Sequence, residues 1–361
     1  MFMRRREFLR LIGQAGVLAA GGYLFGCAAP RQQAQQGGAP QGGQGAGAAA
    51  GGSGPLLSAE ITVTHWPSLL YGVPWMVALD KGYFKEERIE LKGIVGSDGG
   101  GTTVRNVVTG GLPIGEVATA AAYRAWAAGA PLIVVGGGVR SVSEINWVTR
   151  EDRSDIQTIQ DLRGKKIAFT SPGSVTEAVL TLSLKKAGLD PLKDVQMIAA
   201  GGVSKGLTAL KEGAVDAAAD MEPVYSAKPE GLRVVFWARD FVPAFQQTVL
   251  IVGPDLVKQG GEAIRALLRA RRKGIEYVVA HRDEAAEIFA RESKLPVEAC
   301  RKALETVKPD VYYTAGLDPA GLQAVEEQLR IMGLAPADGK VPWKDFVNQD
   351  FLPDGVGKIT L

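Results

Sequence analysis

The chain has 361 residues, 46% of them hydrophobic, which is enough to bury one large core or two medium ones and excludes disorder throughout. Its formal charge of +2 comes from the N-terminus: without residues 1–26 the balance is 37 basic against 38 acidic side chains. A body so nearly neutral lacks the electrostatic footprint that phosphate contacts require, which excludes nucleic-acid binding.

Residues 1–26 carry the three parts of a secretory signal: Arg4, Arg5, Arg6 and Arg10 at the start, an apolar run from Leu11 to Phe25, and small residues near its end. The run is too short to span a bilayer comfortably, which takes about 20 apolar residues. Arg5-Arg6-Glu7-Phe8-Leu9-Arg10 resembles the twin-arginine export signal, with Arg4 where Ser or Thr is usual. Leu24-Phe25-Gly26-Cys27 resembles a bacterial lipobox with a bulky Phe25, so that cleavage leaves Cys27 as a lipid-bearing N-terminus. The competing reading is an uncleaved anchor, or an ordinary signal with an incidental cysteine. Residues 27–58 are then a lipidated tether rich in Gly, Ala, Gln and Pro. Its low-complexity part reaches roughly 30 Å as a flexible chain. Cys300 is the only other cysteine, so a lipidated Cys27 leaves no intramolecular disulfide. Cys300 falls in an expected helix, Val297 to Val307, and reads as a buried thiol.

From Glu60 the chain alternates short β-rich runs with helical segments, the pattern of α/β domains with mainly parallel sheets. Strands are predicted at 60–65, 89–95, 112–118 and 131–136. Helices are predicted at 74–81, closed by Gly82, and at 102–109 and 120–128. The grammar restarts at Asp161, with strands at 165–170, 195–199 and 216–219 and helices at 175–187 and 205–212. The apolar, β-branched segments Ile145–Thr149 and Thr248–Val252 suit extended crossings between two lobes. Beyond the second crossing, helices are expected at 260–280, 283–292, 297–307 and 319–332, bracing the back of the first lobe.

Four phrases occur in the order and spacing of one protein family: Ala78-Leu79-Asp80-Lys81-Gly82-Tyr83-Phe84, Ala128-Gly129-Ala130-Pro131-Leu132, Asp161-Leu162-Arg163-Gly164-Lys165-Lys166-Ile167-Ala168 and Leu210-Lys211-Glu212-Gly213-Ala214-Val215-Asp216-Ala217. On these the chain resembles the nitrate, sulfonate, taurine and thiamine-pyrimidine branch of periplasmic solute-binding proteins of ABC importers, in lipoprotein form. The resemblance implies an α/β, two-lobed periplasmic-binding-protein fold of type II. Each lobe is a mainly parallel sheet flanked by helices, and two hinge crossings join them. Residues 59–148 and 249–361 form the first lobe and 149–248 the second. It further implies a monomer with no cofactor or metal that is not an enzyme, held at the membrane by its lipid with its body outside the cytoplasm. Its partners are then a small-molecule solute and the permease and ATPase subunits of an importer.

Ligands of open α/β sheets sit beyond the C-terminal ends of the strands, so post-strand loops supply the candidate contacts. Trp66 follows the first strand and offers a stacking face, or packs in the core. The loop from Gly96 to Thr102 leads into a helix whose free N–H groups suit a polar ligand end, with Ser97 and Gly100 as its contacts and Asp98 as a contact or an N-cap. Thr119 ends a strand, and Ser171 and Ser174 lie in the matching turn of the second lobe, where Ser174 also fits an N-cap. In the resembled family the stretch Asp220, Glu222, Tyr225 lies at the cleft. Its two carboxylates accept hydrogen bonds from an amino group and repel an oxyanion. They favour an amino-heterocycle such as a thiamine-type pyrimidine. Arg105 and Arg140 argue for a sulfonate or nitrate if they point inward. A ligand sensor, or an enzyme like the fungal pyrimidine synthase of the same fold, are the rival functions. The enzyme needs a reactive histidine and a cysteine-rich iron motif, and this chain has only His65, His281 and one body cysteine.

Overall fold

The computed structural model describes residues 54–227 and 230–361. The expected signal segment, the lipidated Cys27 and most of the tether lie outside the described residues. Among the described residues, ten strands build two five-stranded sheets, ordered β2-β1-β3-β10-β4 and β7-β6-β8-β5-β9. In the first sheet β1 (Leu57–Thr64), β2 (Ile89–Ser97) and β3 (Ile114–Ala118) are parallel, and β10 (Thr248–Val252) runs antiparallel between β3 and β4 (Ile133–Val139). The second sheet repeats the plan. β6 (Lys166–Phe169), β7 (Gln196–Ala199) and β8 (Ala217–Met221) are parallel, and β5 (Ile145–Arg150) runs antiparallel between β8 and β9 (Leu232–Trp237).

The two expected crossings are therefore strands inside the sheets. The chain changes lobe between Val139 and Ile145, and again between Trp237 and Thr248. Their β-branched, uncharged sequences suit positions covered on both faces, and every residue of β3, β8 and β10 is buried.

Helices longer than five residues are numbered α1 (Val73–Asp80), α2 (Gly100–Val108), α3 (Thr119–Ala127), α4 (Val175–Lys186), α5 (Val203–Lys211), α6 (Glu262–Ala280), α7 (Arg282–Ser293), α8 (Val297–Val307) and α9 (Pro319–Ile331). Gly82, expected to close α1, has φ +75°, a conformation that glycine adopts without steric cost. Helix α6 packs on α1, and α7 on α1 and α8, behind the first lobe. Helix α9 departs from expectation. It contacts α4 of the second lobe as well as α3 of the first, so the terminal helices do not all brace one lobe. Cys300 is fully buried on α8.

A buried polar network ties α6 to the first sheet. Glu116 on β3 accepts from Trp75 Nε1 (2.6 Å) and Thr248 Oγ1 (2.8 Å), and Arg271 Nη2 lies 3.3 Å from it. Arg271 also donates to the carbonyls of Gly138 and Thr314, both at 3.1 Å. A Cβ on Gly138 would overlap both Glu116 and Thr248, which explains a glycine inside β4.

Candidate functional site

The C-terminal ends of β1, β2 and β3 face those of β6, β7 and β8, and α2, α3, α4 and α5 all begin at this junction. Two adjoining spaces lie between the lobes. The outer one, about 450 Å³, is walled by His65, Trp66, Ser97 and Asp98 from the first lobe and by Gly201–Lys205 and Val224 from the second. The inner one is small, about 10 Å³, and lined by Thr64, His65, Gly100, Ser174, Thr176 and Met221, among others. His65 belongs to both.

His65 has φ +59°, an uncommon left-handed backbone for a histidine, and such strain collects at functional sites. Burial pushes its imidazole down to about 4, against the upward pull of the Asp98 carboxylate. At neutral pH it is an uncharged donor and acceptor. Behind it runs a hydroxyl chain: Ser97 Oγ to Thr103 Oγ1 at 2.6 Å, Thr103 to Thr64 Oγ1 at 2.7 Å, and Thr64 to the Glu116 carbonyl at 2.9 Å.

Trp66 and Ser97 thus line the outer space, and Gly100 and Ser174 the inner one. Ser174 is also the N-cap of α4, accepting from the Glu177 N–H at 3.2 Å. Ser171 faces Gly99 across the lobe junction. Thr119 is turned to the second crossing, donating to the Gln246 carbonyl at 2.6 Å while its N–H reaches the Gln247 carbonyl. Asp98 is not a cap: Gly99 holds the N-cap position of α2, and Asp98 lines the outer space.

Of the acidic stretch, Met221 and Val224 line the two spaces, whereas Asp220, Glu222 and Tyr225 do not. Asp220 is fully buried on β8, where its Oδ1 accepts the Met221 N–H at 2.8 Å and its Oδ2 has no hydrogen-bond partner among the described residues. Burial, reinforced by repulsion from Glu222, pushes its carboxyl up to about 7. Glu222 is buried and accepts the Ser226 N–H at 3.1 Å. Tyr225 packs edge-on against Trp237 and lines a separate space with Glu151, Glu230 and Lys302.

The turn Gly201–Lys205 is not among the contacts expected from the sequence. It places a glycine pair and the start of α5, whose N-cap Gly202 offers no side chain, against the outer space, with Lys205 beside it. The signal was present: a strand, two glycines and a helix, as at Gly99–Gly101.

The family described as NMT1/THI5 like matches residues 71–285. The formylaminopyrimidine-binding protein of Halalkalibacterium halodurans is 25% identical over 238 residues, 65% of this chain and 70% of that protein. In fold, the chain is similar to the alkanesulfonate-binding protein SsuA from Xanthomonas axonopodis pv. citri bound to MOPS, with a TM-score of 0.70 at 19% identity, covering 82% of this chain and 100% of that one. It is also similar to the periplasmic aliphatic sulphonate binding protein SsuA from Escherichia coli, with a TM-score of 0.66 at 21% identity, covering 85% and 96%.

Proposed function

This chain belongs to the NMT1/THI5-like family, and from that membership we propose that it is the solute-binding subunit of a bacterial ABC importer, capturing a small organic solute between its lobes and delivering it to a permease with its ATPase. One observation carries the reading. The outer space is walled by post-strand loops of both lobes, so a solute there touches both at once and favours their closed arrangement. The protein acts as a carrier, not an enzyme, and as a monomer. It is exported and held at the membrane through lipid on Cys27. Replacing Cys27 with Ala should release the protein into the soluble fraction and abolish palmitate labelling; retention at the membrane would count against the anchor.

The solute is an amino-heterocycle such as a thiamine-type pyrimidine. Asp220 and Glu222 are buried away from the outer space, so this choice rests on Trp66, which offers a ring face, and on Asp98, which offers a carboxylate to an amino group. The name of the Halalkalibacterium relative supports it. A sulfonate or nitrate is the second reading, favoured by Lys205 and the uncapped start of α5. Thermal-shift measurements with aminopyrimidines, flavins, sulfonates and nitrate decide between them. Stabilisation by aminopyrimidines is expected, and stabilisation by sulfonates alone would transfer the assignment to anions.

A further inference from the structure

A cation of the first lobe rests on the cleft-facing turn of the second. Arg124 stands on α3, and its Nη1 lies 3.3 Å from Glu177 Oε2 on α4. The same Glu177 oxygen accepts the backbone N–H of Gly173 at 2.6 Å. Gly173 is the positive-φ corner of the turn that carries Ser171 and Ser174. A Cβ on Gly173 would lie 3.2 Å from Arg124 Nη1, so the guanidinium sits directly on the turn. On the other side of that turn, a Cβ on Gly99 of the first lobe would fall 2.7 Å from Ser171 Oγ. The turn is therefore held from two sides by elements of the opposite lobe. An ordinary surface ion pair contributes little, but the Glu177 side chain is only 9% exposed and is bonded to the turn's own backbone.

We propose that Arg124 is a positioning residue that couples the Ser171–Ser174 turn of the second lobe to the first lobe and holds the closed form without touching the solute. The proposal rests on the solute-binding reading. When the lobes part, Arg124 leaves Glu177 and the Gly173 amide loses its fixed acceptor. When they close, the carboxylate is shared between guanidinium and turn. A solute is thereby retained partly by a contact it does not make, and such a contact acts on the rate of release more than on the rate of entry.

Hydrogen-exchange mass spectrometry of the full chain, with and without formylaminopyrimidine or ethanesulfonate, tests the coupling. In Arg124→Gln the amides of residues 171–177 should exchange roughly three- to fivefold faster, with segments from β1, β3 and α9 unchanged. Arg124→Lys should fall between the two proteins, and molar sodium chloride should move the wild type in the same direction. Unchanged exchange at 171–177, or faster exchange everywhere with a lowered melting temperature, would overturn the proposal. Stopped-flow release of formylaminopyrimidine or ethanesulfonate supplies the second arm. Faster release at an unchanged association rate supports the coupling, and unchanged release overturns it. If neither compound binds the wild type, it is the solute reading for these probes that fails, and the exchange measurement alone decides the role of Arg124.

Discussion

Glu116 and Asp220 occupy corresponding central strands and differ in what surrounds them. Glu116 has an indole N–H, a hydroxyl and a guanidinium on its two oxygens; Asp220 has one backbone N–H. Glu144, at the first crossing, resembles Asp220. Burial pushes it up to about 7 despite a hydrogen bond from Gln247, and Glu222 adds repulsion. In the unfolded chain these carboxyls titrate in the usual range near 4, so the folded state holds more protons above that. The stability this represents is fully present below the usual range and is lost as pH rises through about 7. Glu144→Gln should therefore flatten the fall in melting temperature between about pH 5 and about pH 8, and parallel curves for the two proteins would refute this. At the outer space, Trp66→Ala should weaken solute binding by about tenfold in calorimetric titration, for the loss of an aromatic face. Trp66 and Ser97 are legible in the sequence because each follows a patterned strand. The place of His65, at the end of the first strand beside Trp66, is legible too; its left-handed backbone is not, because no residue pattern announces it.

At the scale of elements, Arg271 joins α6 to two strands through Glu116 and Gly138, and Glu116 ties in a third at Thr248. Removing one member of a buried pair leaves the other desolvated without compensation. Arg271→Ala should cost about 3–5 kcal/mol in urea unfolding. A cost under 1 kcal/mol, the scale of an exposed pair, would mean that the network is hydrated. Two helix limits are readable from periodicity: 297–307 is matched residue for residue, and 319–332 to within one. The strand β9 went unread although Leu232-Arg233-Val234-Val235-Phe236-Trp237 is β-branched and aromatic, because a lone edge strand after a turn has no helix to complete the α/β alternation. Thr248–Val252 is legible as extended but not as a central strand, since its partners β3 and β4 lie more than a hundred residues earlier in the chain.

At the scale of the whole fold, α9 lies against the second crossing. Asp318 N–H donates to Gln246 Oε1 at 2.8 Å, and a Cβ on Gly321 would overlap the Gln246 nitrogen. The far end of the helix brings Glu327 within 3.6 Å of Lys186 on α4. Gly321→Ala should lower stability by about 1–3 kcal/mol, because backbone and not a movable side chain stands in the way. A neutral result would show that α9 can lift from the crossing. The interleaved strand order has a further consequence, for the sequence of events in folding. The second sheet is made from one uninterrupted stretch, 145–237, whereas the first lacks the strand between β3 and β4 until residues 248–252 arrive. The later-made half can finish its core by itself, while the earlier-made half waits with two unpaired strand edges. Pulsed hydrogen labelling during refolding should find β5–β9 protected before β4 and β10; simultaneous protection would mean that the two halves nucleate together.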